Sequence, residues 1–207
     1  MRVTRPYFIP VLFVAVALAG FALPAAPDRP ASEPSMYQID KAHSVIGFKV
    51  RHLGITNVTG TFSDYSTRIK LDPGDLRTME VAARISVESV DTGNARRDDH
   101  LRSPDFFEAE TYPDIRFQST EVVSVDGSAF ELAGDLTIHG VTQPVVLQGD
   151  VIGTAEGPGG NRRIGIEAET TVDRRAFGLE WNGLTEAGGI IVGHDVRIFL
   201  ELQAVQS

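Results

Sequence analysis

The sequence predicts an all-β fold, a meander of antiparallel strands with one short helix. Apolar residues recur at every second position through most of the chain after residue 36, which is the period of half-buried strands. Turn sequences rich in Gly, Pro and Asp separate these segments. Only one segment departs from the two-residue period. The alternation accounts for about eight or nine strands.

The first 26 residues are predicted to be a secretory signal peptide. Arg2 and Arg5 precede an apolar run from Tyr7 to Leu23, and small residues follow it. The cleavage point is not fixed by the sequence, and an uncleaved anchor is the rival interpretation, since the run is short for a membrane span. Residues 27–35, rich in Pro and charge, are predicted to be a flexible leader to a domain over 36–207.

The inward-facing residues are predicted to be Ile46, Phe48 and Val50; Ile69 and Leu71; Val81, Ala83, Ile85 and Val87; Ile115 and Phe117; Phe130, Leu132, Leu136 and Ile138; Val145 and Leu147; Ile164 and Ile166; and Val192, Val196, Ile198, Leu200 and Leu202. Phe199 interrupts the last series. Such a meander closes into a barrel or forms a sandwich, and the pattern satisfies both.

The exception to the strand period lies between residues 94 and 102, which we interpret as a helix. Asn94 or Thr92 is the expected cap, and Ser103-Pro104 ends the segment. The aromatic pair Phe106-Phe107 follows in a loop and needs an apolar environment.

Composition excludes several classes of function. The chain has no cysteine, which rules out a lipidated cysteine, a thiolate zinc site and a thiol nucleophile. Its formal charge of −9 disfavours nucleic acid and anionic membranes as partners. We therefore expect no nucleic acid and at most transient membrane contact.

The size of the inward-facing residues bears on whether the interior is hollow. Small residues alternate with large aromatic ones, so the wall could leave room for an apolar ligand; a packed core is the alternative, and strand number alone does not decide. The small residues are Val81, Ala83, Val87, Gly134, Val145 and Ala168, and the aromatic ones are Phe48, Phe62, Phe117 and Phe130.

Several blocks of the sequence closely resemble the YceI-like family, in the same order and at the same spacing. They are residues 40–54, 58–62, 97–107, 112–117, 134–145, 177–179 and 192–203. The resemblance implies an extended, eight-stranded antiparallel barrel of lipocalin type with a short helix. It also implies export to the periplasm and an interior that holds a polyisoprenoid, either a prenyl phosphate or an isoprenoid quinone.

The leading hypothesis is thus a periplasmic binding or carrier protein for a long isoprenoid lipid. The residues expected to contact the lipid are Phe48, Val50, Phe62, Ile69, Leu71, Val81, Ile85, Phe106, Phe107, Ile115, Phe117, Leu132, Leu136 and Ile138. The first alternative hypothesis is a filled barrel that binds another envelope protein. The second is an enzyme that acts on a lipid head group. Association of two barrels as a homodimer is left open.

The polar candidates are residues that could meet a lipid head group at the barrel mouth. They are His43, His52, Arg97 and His100. The alternative for His43 and His52 is a role in turns or in the hydrogen bonds at strand ends. Five histidines invite a metal hypothesis, but no two have the spacing that places two ligands on one element. We expect no metal, no cofactor and no catalytic residues, since no catalytic motif is present.

Overall fold

The computed structural model describes residues 33–183 and 191–207. Within them the chain forms a closed, eight-stranded antiparallel barrel with one α-helix, which confirms the predicted fold class. The predicted signal and the rival anchor lie outside the described residues. The elements are β1 (Ser35–Ile39), β2 (Val45–His52), β3 (Thr56–Phe62), β4 (Tyr65–Asp72), β5 (Asp75–Ser86), β6 (Val90–Asp91), α1 (Ala95–Arg102), β7 (Asp114–Asp126), β8 (Ala129–Ile138), β9 (Val141–Glu156), β10 (Arg162–Asp173) and β11 (Val192–Gln206).

Strand β1 closes the barrel because it pairs on both of its edges. The ring runs β1-β4-β5-β7-β8-β9-β10-β11 and returns to β1. Tyr37 lies opposite Ile69 of β4 on one side and opposite Gln206 of β11 on the other. Of the two architectures that the alternation allowed, the chain adopts the barrel, which leaves the ring without an unpaired edge.

Three short strands extend the wall at one end. β2 follows β1 after a single 3₁₀ turn over Lys41–His43 and pairs with β11. β3 pairs with β2, and β6 pairs with β3 over two residues. Asp40 begins the 3₁₀ turn because its side chain accepts a hydrogen bond from the N–H of Ala42 at 3.2 Å. β2, β3 and β6 are the three strand segments of the described residues that lie outside the eight-stranded ring.

Helix α1 lies between β6 and β7, where the sequence predicts it. The side chain of Asn94 accepts a hydrogen bond from the N–H of Arg97 at 3.1 Å and so caps the helix. The alternative cap, Thr92, instead donates its N–H and its hydroxyl to the buried carboxylate of Asp98. No helix in the described part of the chain is long and apolar enough to cross a bilayer.

Candidate functional site

The barrel encloses a cavity of about 350 Å³ at the end where β2 and β3 extend the wall. This volume falls within the range of small-molecule sites, roughly 300–1,000 Å³. Its wall is largely apolar, and alternate residues of β2 and β11 contribute to it: Ile46, Phe48, Val50, Val192, Val196, Ile198, Leu200 and Leu202. The two-residue period of these strands is what points this series inward.

The cavity occupies only part of the barrel interior, which we call the hollow half. On β11 the inward series lines the cavity as far as Leu202, but the next member, Ala204, is fully buried and lies outside it. On β4, Ile69 lines the cavity and Leu71 does not; on β8, Leu136 lines it and Leu132 does not. The other end is occupied by almost fully buried side chains that do not line the cavity, and we call it the filled half; they include Tyr37, Leu71, Leu132, Ile164 and Ala204.

Most of the residues that the sequence nominates for lipid contact line this cavity. Those that do are Phe48, Val50, Phe62, Ile69, Val81, Ile85, Phe106, Phe107, Ile115, Phe117, Leu136 and Ile138. Leu71 and Leu132 belong to the filled half instead, with 0% and 1% of their surfaces exposed. Alternation predicts that both face inward, and they do, but it does not give the level at which a residue lies along the barrel axis.

The small residues of the wall leave less room than the sequence suggests. Val81, Ala83 and Val145 line the cavity, whereas Val87, Gly134 and Ala168 lie outside its wall. The space beside Gly134 is taken by the ring of Phe117, whose Cζ would be 2.4 Å from a β-carbon at 134. A small residue therefore opens space only where no aromatic ring of a neighbouring strand covers it.

An aromatic cluster lies where α1 and the loop after it meet the segment that follows β10. The His100 ring stands edge-on to Phe106 and Trp181, with ring centroids 5.0 and 4.8 Å apart, and Phe106 lies 5.1 Å from Trp181. All three side chains line the cavity. Phe106 and Phe107 thus have the apolar environment that their loop position requires.

Three of the four residues predicted to meet a lipid head group lie in the cavity wall. His52, Arg97 and His100 line the cavity. Arg97 is oriented by Thr92, since its Nε donates to the hydroxyl at 2.7 Å and its Nη2 to the carbonyl at 2.8 Å. The His100 Nε2 lies 2.9 Å from an Asp105 carboxylate oxygen.

His43 lies away from the cavity wall, in the 3₁₀ turn between β1 and β2. Its Nδ1 is 3.0 Å from an Asp40 carboxylate oxygen, which also accepts a bond from Arg163 Nη1 at 2.8 Å. The Arg163 guanidinium, followed by His43, holds the pKa of Asp40 below its usual range. The arrangement matches the alternative role of His43 in a turn.

Sequence reasoning missed two charged cavity residues, Arg51 and Arg174, and of these Arg174 is the buried one. It follows β10 directly, lines the cavity, and exposes only 4% of its surface. A signal was present, because the inward series Ile166, Ala168, Thr170 and Val172 reaches residue 174 at its next step. Burial lowers the pKa of Arg174 from its usual value, although a guanidinium stays charged at any physiological pH.

A metal centre finds no support in the geometry. Among residues 33–183 and 191–207, no group of three or more His, Asp or Glu side chains is arranged to hold an ion. His139, in the turn between β8 and β9, has a φ of +50° and packs on Tyr112 with ring centroids 4.5 Å apart.

Comparison with known proteins identifies the family. A model of the YceI-like domain matches residues 37–204. The chain belongs to the YceI-like family. Protein YceI of Escherichia coli O157:H7 is 36% identical over 172 residues, covering 82% of this chain and 86% of the relative.

Solved structures agree with this assignment. The Campylobacter jejuni YceI protein superposes on this YceI-like chain with a TM-score of 0.67 at 34% identity, covering 83% of this chain and 98% of the other. A polyisoprenoid binding domain from Saccharophagus degradans matches with a TM-score of 0.60 at 17% identity, over 83% and 98% of the two chains. At that identity the second match shows a shared fold alone.

Proposed function

We propose that this protein binds the tail of an isoprenoid lipid in the hollow half of its barrel and acts as a carrier rather than an enzyme. The observation that carries the proposal is the apolar cavity, whose wall comes from nearly every strand of the ring. The Saccharophagus degradans domain of the same fold binds a polyisoprenoid. That likeness supports an isoprenoid over other apolar ligands.

The energetics suit retention without a covalent bond. Burial of apolar surface contributes about 25 cal/mol per Å², so a chain that loses several hundred Å² gains on the order of 10 kcal/mol before the costs of association. The aromatic side chains of Phe106 and Trp181, which line the cavity and contact each other, would add apolar contact with the chain. Binding in this scheme needs no reacting group.

We further propose that the protein works in the periplasm, to which residues 1–26 export it. The basic start, apolar middle and small residues of that segment support export. A compartment that lies between two membranes is one in which an insoluble lipid needs a carrier. The isoprenoid is the expected partner, held without any further cofactor.

The test is to purify the protein from its own cells under native conditions, extract it with organic solvent and identify the extract by mass spectrometry. We expect one isoprenoid per barrel. Leu136→Asp, in the cavity wall, should yield lipid-free protein because an unpaired charge would enter an apolar site. Val123→Asp is the matched control, since Val123 of β7 is 52% exposed. Wild-type protein that carries no lipid would favour the rival role as an interaction module.

A further inference from the structure

The turn between β2 and β3 exposes two aliphatic side chains. Leu53 is 43% exposed and Ile55 is 80% exposed, the highest value for a large apolar residue in the part of the chain that the structure describes. The two residues flank Gly54 at the end of a hairpin whose strands lie outside the eight-stranded ring. We call Leu53, Gly54 and Ile55 the hairpin tip.

The backbone of the hairpin tip favours a polar residue at position 53. Leu53 has a φ of +52° and Gly54 a φ of +73°, and the Ile55 N–H donates to the His52 carbonyl at 3.1 Å. Consecutive residues with positive φ are typical of type I′ turns, in which Asn-Gly is a favoured pair. Positive φ strains a leucine, and exposure gives this one little burial in return. Neither the local conformation nor the packing of the barrel therefore accounts for Leu53.

The hairpin tip adjoins the place where the cavity wall reaches the protein surface. The Leu53 N–H donates to the carbonyl of Ile191, a residue that lines the cavity, at 2.8 Å. Arg51 and His52, which precede the tip, also line the cavity. Among the cavity-lining residues within 33–183 and 191–207, Arg51 is the only exposed one. A surface that contacts the tip would therefore lie next to the cavity.

The charge of this hairpin differs from that of the whole chain. Residues 45–62 contain Lys49 and Arg51 and no Asp or Glu, whereas the chain has a formal charge of −9. An anionic bilayer would repel the protein as a whole but attract this hairpin. The barrel would therefore approach such a surface with the hairpin foremost.

We propose that the hairpin tip docks the barrel on a lipid bilayer, with Leu53 and Ile55 inserted among the lipid chains. This inference rests on the proposed function, because a carrier must exchange its lipid with a membrane. Insertion would bury both aliphatic side chains and would hold the exposed part of the cavity wall, at Arg51, against the bilayer. With two small apolar anchors the contact would be weak and reversible.

Insertion is measured at the hairpin tip itself. The chain has no cysteine, so Ile55→Cys provides a single site for an environment-sensitive fluorophore. Vesicles of phosphatidylcholine and phosphatidylglycerol should shift the emission of this label to shorter wavelength, and lipids brominated on their acyl chains should quench it. Ile152→Cys is the matched control, because Ile152 of β9 is 62% exposed and does not line the cavity. A label at position 55 that vesicles leave unchanged, or equal responses at the two positions, overturns the proposal.

The variants Leu53→Asn and Ile55→Ser test whether these side chains provide the affinity. Each should weaken binding to the same vesicles about tenfold in a flotation assay, as for the loss of one buried aliphatic side chain. Leu53→Asn should fold at least as stably as the wild type, because Asn tolerates positive φ. Ile152→Ser should bind vesicles as the wild type does. Undiminished binding by a protein that carries both tip substitutions overturns the proposal.

The remaining outcomes separate docking from its alternatives. If the two tip substitutions dissolve a dimer seen by sedimentation of the wild type, and vesicles leave the label at position 55 unchanged, the tip is an interface between protein copies and bilayer docking is overturned. Docking by a barrel whose organic extract contains no isoprenoid overturns the proposed function and supports docking. An extract that contains isoprenoid, from a protein that does not dock, overturns docking alone.

Discussion

The ring of Phe117 on β7 covers Gly134 on β8, so closely that a β-carbon on Gly134 would lie 2.4 Å from the ring Cζ. Phe117 lines the cavity, and Gly134, which its ring covers, does not. Phe48 covers Gly60 and Phe130 covers Gly149 in the same way, with corresponding distances of 2.3 and 2.5 Å. The glycines accommodate aromatic rings that the barrel interior could not otherwise hold.

Replacing Gly134 by alanine should destabilise the barrel by about 1–3 kcal/mol, because the Phe117 ring must move and overpacking is costly. Urea unfolding measures the change. Gly165→Ala in β10 is the control: the nearest atom to its new β-carbon would be the Ile152 Cβ at an ordinary 3.6 Å. Equal stability of Gly134→Ala and the wild type would contradict the packing described.

Removal of the Asp98 charge should loosen the start of helix α1. One Asp98 oxygen accepts bonds from the Thr92 N–H at 2.9 Å and the Thr92 hydroxyl at 2.5 Å, and the side chain is buried. Asp98→Asn should cost about 1–2 kcal/mol of stability, since hydrogen bonds to a charged group are the stronger ones. Asp99→Asn, at an exposed neighbour, should destabilise the protein much less. Thermal melts measure both variants, and an equal loss of stability in the two would contradict the role of the Asp98–Thr92 hydrogen bonds.

The stability that Asp114 contributes should depend on pH. Its Oδ2 accepts bonds from Arg84 Nε at 2.8 Å and Arg116 Nη2 at 3.2 Å, and Arg84, followed by Arg116, lowers the pKa of this carboxyl. Because the pKa of this carboxyl is lower in the folded than in the unfolded state, its ionised form stabilises the fold at pH values above the unfolded-state pKa. This stabilisation is lost as the pH falls through the folded-state pKa.

Asp114→Asn should therefore destabilise by about 1 kcal/mol at pH 7, a modest value because both arginines are exposed. The difference from wild type should shrink below about pH 4. Chemical denaturation of the variant and the wild type across this pH range measures the difference. Asp126→Asn is the control, because Asp126 lies on the same strand and is exposed. A difference that stays constant down to pH 2 would contradict the ion pairs.

Filling the hollow half should separate ligand binding from stability. Ala83 lines the cavity, and its neighbour Ala82 on β5 does not. Ala83→Leu should reduce the lipid recovered with the protein while leaving the unfolding midpoint unchanged or higher, because the larger side chain would occupy part of the cavity and bury more apolar surface. The control variant Ala82→Leu should retain its lipid. If Ala82→Leu lost lipid and Ala83→Leu kept it, the ligand would have to lie outside this cavity.

The architecture could be predicted from the sequence because the two-residue period is a local property and holds along most of the length of the long strands. The same period predicts the inward side but not the axial level, which depends on how far neighbouring strands are staggered. Leu71 and Leu132 were therefore nominated with Leu136, although only Leu136 reaches the cavity. Phe199, the apparent exception on β11, packs over Gly47 of β2, a pairing that no single strand reveals.

The polar part of the site was less accessible to sequence reasoning. Arg97 and His100 were predicted because polar groups that meet a ligand gather in the segments that flank strand ends. Arg174 was missed because a buried arginine is uncommon, and its carbonyl partners at Leu179, Val192 and Gly193 come together only in the folded chain.

The most direct test of the central claim is to map the ligand within the barrel with an isoprenoid that carries a photoreactive group on its tail. After irradiation of the complex, peptide mass spectrometry locates the adducts. The division of the interior predicts adducts at hollow-half residues such as Phe48, Leu136 and Ile198, abolished by unlabelled isoprenoid. Adducts at Leu71 or Ile164 of the filled half, or on the outer surface alone, would contradict it.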